Sequence, residues 1–369
     1  MRVFYASHSS ATEAAGSRIW DQNLFLPLKD LGHDVVRFDY DLDAHIRDIL
    51  LKRHGRGRLE GALLSQIRST HAEKRIDLFF SYFDASMVTS AAIRQIRALG
   101  ILSANWYCNA SYQFDNVAPI AAAYDYCLVP EEFRLEDYRR VGAKPIYCQE
   151  AANPTFYKPV PGEFKYDVSF VGQKYGDRPA LVRRLLDAGI SVHVFGPGWS
   201  GQNTPRGSLF QRLLSHTPRS ALRAFARRLR KKAGSPPVNL PPDALHGPLS
   251  DEQMVKTFSR SRINLGFSAC GSTAFAPQRI KQVRLRDFEI PMSGGFYLTE
   301  QLEELGEFFE LGKEVACYRD GEDLVEKVKY FLANEEEREA ISVAGRQRAL
   351  RDHTWQKRLQ SAFEAMGLH

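Results

Sequence analysis

Short apolar runs recur along the chain, separated by amphipathic stretches of helix length, and this alternation leaves few architectures open. Residues 3–6, 35–38, 78–81, 102–106, 126–129 and 146–148 read as strands, each close to turn residues. Between them, residues 19–31 space Leu24, Leu28 and Leu31 at helical intervals, and residues 91–99 do the same with Ile93, Ile96 and Leu99. Gly32 and Gly100 follow Leu31 and Leu99 directly, where a glycine ends a helix. Strands alternating with such helices predict βαβ units, hence a parallel sheet with helices on both faces.

A proline-rich stretch, Asn153-Pro154, Lys158-Pro159 and Pro161-Gly162, interrupts the pattern, which then restarts. Residues 168–171, 192–195, 263–267 and 296–299 read as strands, and 178–188, 251–259 and 321–333 as helices. Residues 354–366 form one more helix, with Trp355, Leu359 and Phe363 at steps of four. The expected organisation is α/β, with a first domain over 1–152, a second over 153–353 and a terminal helix over 354–369. A chain of 369 residues suits two such domains.

The composition is 44% hydrophobic and 25% charged, which excludes extensive disorder. No apolar run approaches the ~20 residues of a membrane span. The start, Met1 to Ala6, reads as a strand and lacks the apolar core of a signal peptide. The five cysteines, Cys108, Cys127, Cys148, Cys270 and Cys317, show no Cys-x-x-Cys spacing and suit buried reduced thiols. A cytoplasmic protein is expected.

The formal net charge is +6, yet nine Lys/Arg and no Asp/Glu fall between Arg206 and Lys232, and without them the remainder carries −3. The basic character is local, within an insertion over 200–242. Leu222, Phe225, Ala226 and Leu229 make an apolar stripe among Arg223, Arg227, Arg228, Arg230, Lys231 and Lys232, the pattern of a basic amphipathic helix. Three readings stay open: a surface helix packed on its own domain, docking to an anionic membrane surface, or contact with nucleic acid, the last weighing least.

Three glycine-bearing segments carry candidate chemistry. The strand ending at Val171 runs into Gly172-Gln173-Lys174 ahead of a helix beginning near Asp177. Backbone N–H groups there, with Lys174 and Arg178, suit a phosphate; an ordinary strand-to-helix turn has the same signature. Phe195-Gly196-Pro197-Gly198-Trp199 allows close approach of a flat or charged ligand, or is simply a tight turn. Between Arg279 and Thr299, Arg279, Lys281, Arg284 and Arg286 surround a helical start, Glu289 sits in an apolar stretch, and Gly294-Gly295 precedes a strand. Arg284 and Arg286 suit a diphosphate clamp, and Glu289 suits vicinal sugar hydroxyls. The alternative is a solvated basic face with Glu289 paired to one of the arginines.

In the first half, His8 follows the first strand and Asp115 lies beyond the fourth, both at the sheet edge where ligand sites form. They are the candidate catalytic groups, His8 as base or leaving-group contact and Asp115 as base toward an acceptor hydroxyl. The ten histidines form no metal-binding cluster, and Asp39-Tyr40-Asp41-x-Asp43 reads as a solvated loop. No metal and no cofactor is expected.

Arg286-x-Phe288-Glu289 followed by Gly294-Gly295-Phe296-Tyr297-Leu298-Thr299 resembles the CgeB-like (spore-maturation-protein-like) glycosyltransferases of the GT-B superfamily. Gly312-x-Glu314, Tyr318, Asp323-Leu324, Gly345-x-x-Arg348 and His353-Thr354-x-x-x-Arg358 extend the likeness, as do Asp167 to Gly172, Phe195-Gly196-x-Gly198-Trp199 and Ser261-x-Ile263-Asn264-Leu265 upstream. It covers most of residues 165–360. In the first half it is looser, resting on Asn105-Trp106-Tyr107, Phe114-Asp115 and Gly142.

The resemblance implies two Rossmann-like domains facing a cleft, with the nucleotide-sugar on the second, the acceptor on the first, and the terminal helix crossing back. It implies a ribose contact for Glu289. The family's earlier, sugar-contacting glutamate falls on Lys281, and its acidic pair near Asn109 reads Asn109-Ala110. The expectation is therefore a metal-independent transfer of sugar from a nucleotide diphosphate sugar to a glycan, lipid-linked saccharide or protein hydroxyl. A nucleotide-sugar epimerase or a non-catalytic scaffold of the same fold is the alternative.

Overall fold

The computed structural model describes residues 1–7, 18–40, 55–199, 238–275 and 279–368. Its first sheet contains β1 (Arg2–Ala6), β2 (Asp34–Arg37), β3 (Leu78–Ser81), β4 (Leu102–Trp106), β5 (Tyr126–Val129) and β6 (Pro145–Tyr147), in the order β2-β1-β3-β4-β5-β6. Every pair is parallel. The central strands are covered on both faces: Val3, Tyr5, Leu78, Phe79 and Phe80 are fully buried, which is why these strands read as continuous apolar runs. The covering helices are α1 (Leu26–Asp30), α2 (Gly55–Glu73), α3 (Ser90–Arg97), α4 (Ala110–Ala121) and α5 (Leu135–Arg140). Gly32 and Gly100 adopt φ of 80° and 78°, so both glycine stops form as read.

The second sheet repeats the plan with β7 (Tyr166–Val171), β8 (Val192–Phe195), β9 (Leu245–His246), β10 (Ser261–Leu265), β11 (Tyr297–Glu300) and β12 (Ala316–Tyr318), in the order β12-β11-β10-β7-β8-β9, again parallel throughout. Around it lie α6 (Arg178–Asp187), α7 (Asp251–Ser259), α8 (Leu285–Met292), α9 (Gly321–Ala333) and α10 (Glu335–Asp352). The expected α/β fold with two parallel sheets is the one observed.

Local departures have local causes. The helix read over 19–31 carries a wide π turn, Asp21–Phe25, between a first helical pair at Ile19 and Trp20 and α1. Pro27 has no N–H to donate to an ordinary helical ladder, and the wide turn lies just ahead of it. Strands β9 and β12 escape a periodicity reading because two or three residues hold no period. One buried asparagine ties each sheet internally. Asn105 accepts from Ser81 Oγ (2.9 Å) and the Phe83 amide (2.9 Å), and Asn264 accepts from Ser169 Oγ and donates to the Phe258 carbonyl (3.0 Å).

The last helix, α11 (Trp355–Ala365), leaves the second half and packs into the core of the first, where Trp355, Leu359, Ala362 and Phe363 join Trp106 and Phe80. A parallel bridge between Ala152 and Thr354 carries the chain across, with the Ala152 amide on the His353 carbonyl (3.1 Å) and the Trp355 amide on the Ala152 carbonyl (3.2 Å). His353 is buried among Phe288, Phe308 and Phe309. Its Nε2 lies 2.6 Å from the Phe308 carbonyl and its Nδ1 3.3 Å from Arg358 Nη2, so the neutral ring donates on one side and accepts on the other.

Burial lowers the His353 imidazole from 6.5 to about 4. As pH falls, the unfolded chain takes this proton first, so the contribution of His353 to stability is lost between roughly pH 6.5 and 4. In urea unfolding, the advantage of the wild type over His353→Gln should therefore shrink by roughly 3 kcal/mol across that window. A pH-independent difference would place the buried neutral ring elsewhere.

Candidate functional site

In each sheet the strand order reverses beside the first strand of that half, at β1/β3 and at β7/β10. Loops leaving the carboxyl ends of parallel strands diverge at such a point and leave a crevice for a ligand. In the second sheet these are the loops after Val171 and Leu265.

The β7 and β8 loops are locked together. The Gly172 amide donates to the Phe195 carbonyl (2.8 Å), and the Gly172 carbonyl accepts from Trp199 Nε1 (2.7 Å). Gly196 has φ of 135°, and a Cβ there would stand 2.4 Å from the Gly172 oxygen, so both the torsion and the space require glycine. The Lys174 amide donates to the Pro197 carbonyl, while its exposed ammonium sits 5.8 Å from the Trp199 ring centroid. Gly198 lies beside Lys174, close enough that a Cβ on it would stand 3.4 Å from the lysine Cβ. Gly172, Lys174, Gly196, Gly198 and Trp199 are thus one constellation.

Arg178 begins α6 and points inward. Its guanidinium lies over Tyr175 (3.7 Å to the centroid) and donates to the Gln173 (2.8 Å) and Phe267 (3.3 Å) carbonyls. Burial lowers it to about 10. It braces the loops from beneath.

Helix α8 starts at the carboxyl end of the sheet. The Arg284 amide donates to Asp287 Oδ2 (2.6 Å), and its Nη2 donates to the Ala269 (2.7 Å) and Ser268 (3.3 Å) carbonyls. Arg279 and Lys281 are neutralised, Arg279 by Asp177 (2.8 Å) and Glu300 (3.1 Å), Lys281 by Glu300 (3.1 Å). Arg284 forms no ion pair among the described residues. Arg286 donates to Glu289, whose side chain has no accessible surface and also accepts from Asn23 Nδ2 of the first half (3.3 Å). Gly294 and Gly295 lie at the far end of α8, about 12 Å along the helix. They close it and admit the Phe258 carbonyl, which a Cβ at Gly295 would meet at 2.7 Å.

Opposite Arg284 stand carboxyl groups that strand-end reasoning had not singled out. Glu131 follows β5 and accepts the Ser111 amide at the start of α4 (3.0 Å); Glu150 follows β6. Both side chains are buried, and one oxygen of each has no hydrogen-bond partner. Burial pushes Glu131 up to about 7 and raises Glu150 well above the usual range, Arg284 opposing the latter effect. A titratable group just past a strand was the signal available, the same one that nominated His8. The halves also touch where Cys270 Sγ meets Ser111 Oγ (3.7 Å) and where Tyr112 lies over Gly271.

Asp115 is exposed on α4, the helix that follows β4. His8 lies outside the described residues, as do Arg223, Arg227, Arg228, Arg230, Lys231 and Lys232. Among the described residues no group of three or more His, Cys, Asp and Glu side chains could hold a metal ion, and no helix is long and apolar enough to cross a membrane.

A family model described as glycosyl transferase-like matches residues 178–364. No curated protein matches the sequence. Among solved structures, a sucrose-phosphate synthase from Thermosynechococcus elongatus is similar at TM-score 0.59 and 11% identity, over 100% of this chain and 99% of that one. Anabaena HepE, in complex with UDP and glucose, is similar at TM-score 0.57 and 10% identity, over 100% and 99%. A putative UDP-N-acetylglucosamine 2-epimerase from Listeria monocytogenes is similar at TM-score 0.51 and 14% identity, over 98% and 97%. At these identities the likeness shows the shared fold, two Rossmann-like halves about a cleft.

Proposed function

The chain belongs to the glycosyl transferase-like family, and from that premise we propose that it moves a sugar from a nucleotide diphosphate sugar to an acceptor hydroxyl. The observation that carries this reading is the meeting, at the β7/β10 switch point, of the glycine-locked loops with a cation, Arg284, that has no carboxylate partner among the described residues. Arg284 and the exposed Lys174 hold the diphosphate. In the transfer, the bond from the anomeric carbon to the phosphate oxygen breaks and a bond to the acceptor oxygen forms. The acceptor proton leaves with a base, and the nucleoside diphosphate departs with the bonding pair. Fixed cations facing that charge supply the stabilisation, with no metal in the step.

HepE, of the same fold, is seen with UDP and glucose, which supports this class of donor. The CgeB-like branch is our finer placement, resting on the motifs around Glu289. Glu289 contacts the ribose in this reading only once the Asn23 contact opens, because its carboxylate is otherwise enclosed. Arg178 acts as a brace, and His8 and Asp115 remain our candidate bases. The acceptor side belongs to the first half, with a glycan, lipid-linked saccharide or protein as acceptor. The basic segment would bring the enzyme to an anionic membrane surface.

Calorimetry with a panel of nucleoside diphosphates tests the donor site. Arg284→Ala should weaken binding about tenfold or more, the effect of losing a charge-assisted contact. Unchanged affinity would remove Arg284 from the site. Turnover of a nucleotide-sugar panel separates transfer from epimerisation, which yields an altered sugar nucleotide without acceptor.

A further inference from the structure

The acidic side chains around the start of α8 all have partners. Asp177 and Glu300 hold Arg279, Glu300 also holds Lys281, Asp287 accepts from Tyr297 and the Arg284 amide, and Glu289 accepts from Arg286 and Asn23. The two carboxyls facing them from the first sheet are different. Glu131 is 3% exposed and Glu150 6%, and each keeps a buried oxygen with no partner. The charged groups that act on Glu150 are Arg284, Glu289 and Asp287 from across the cleft and Glu131 beside it. Arg284 keeps an unpartnered buried Nε, and no ion pair joins it to Glu150.

Complementary buried groups from opposite sheets, unclosed by each other, are costly unless a ligand completes them. That ligand must be anionic toward Arg284 and must not be anionic toward two carboxyls. A neutral group rich in hydroxyls satisfies the acidic side whether a carboxyl is ionised or protonated, since a hydroxyl both accepts and donates. We infer that Glu150 and Glu131 form a binding site for the hydroxyls of a sugar ring, placed on the first sheet and facing the diphosphate site at Arg284. The inference rests on the donor reading above and deepens it: recognition of the sugar passes to the opposite half of the molecule.

Sugar hydroxyls can come from the donor or from an acceptor saccharide, and calorimetry on the full chain separates them. The probes are UDP, UDP-glucose, and free glucose added to the UDP-saturated protein, each with wild type, Glu150→Gln and Glu131→Gln. Wild type should bind UDP-glucose more tightly than UDP. In Glu150→Gln that margin should fall about tenfold, while UDP affinity is not reduced, because an amide in place of the carboxyl adds no negative charge near Arg284. Glu131→Gln should act in the same direction. Loss confined to the glucose arm assigns the site to an acceptor sugar. Undiminished margins in both variants and both arms, or no sugar-dependent margin in the wild type, overturn the inference. Failure of wild type to bind UDP or any other nucleoside diphosphate overturns the donor reading instead, and this inference with it; UDP binding by each variant shows that it is folded.

Discussion

Arg286→Met should lower the stability of the folded chain by about 3–5 kcal/mol, among the largest effects of any single change in this protein. Glu289 has no accessible surface, and its carboxylate is held by Arg286 and by Asn23. Removing the guanidinium leaves a buried charge facing an amide and the Tyr157 hydroxyl region, without a countercharge in contact. The companion Arg286→Met/Glu289→Leu variant should recover most of the loss, because a buried ion pair contributes little over well-packed apolar groups while half a pair is expensive. Urea unfolding of the two singles and the double measures this. A loss under about 1 kcal/mol in Arg286→Met would show that the pair is solvated in solution. The stable double variant also isolates the nucleotide question: if it binds nucleoside diphosphates with wild-type affinity, Glu289 does not hold the ribose.

Trp355→Ala is the second large effect, about 3–5 kcal/mol, the range for truncating a fully buried tryptophan. The ring packs edge-on against Trp106 (5.2 Å between centroids) inside the first core, although its chain arrives from the second half. Its removal should both open a void and loosen the tie made by the Ala152–Thr354 bridge. Calorimetry should show a lower transition for the first half, and amide exchange should rise along α11. Equal exchange in variant and wild type would mean that Leu359, Ala362 and Phe363 dock the helix without it.

Much of this architecture is written locally. Val3 to Ala6, Leu78 to Phe80 and most of Val168 to Val171 are apolar because both faces of a parallel sheet are covered, and such runs are visible in one dimension. Gly32 and Gly100 announce helix ends because their torsions are left-handed. The lock between Gly172, Gly196 and Trp199 was half legible: the glycines marked the loops, but not that one loop's carbonyl closes on the other's indole.

Charge was the least legible property. Arg279, Lys281, Arg284 and Arg286 lie within eight residues and read as one cluster. The folded chain divides them: Arg279 and Lys281 are neutralised by Asp177 and Glu300, Arg286 is drawn to Glu289, and Arg284 remains without a carboxylate among the described residues. Glu131 and Glu150 were ordinary residues at strand ends until the second half was packed opposite them.

The sequence alone therefore determined the repeated βαβ plan and the amphipathic last helix from Trp355. Each depends on which face of a short segment avoids water, and that is set by residue order. Only the tertiary structure decided which ions are paired, which are buried and which keep an atom without a partner. Coulomb and desolvation energies depend on distances between groups far apart in sequence, and those distances exist only after the two sheets have packed.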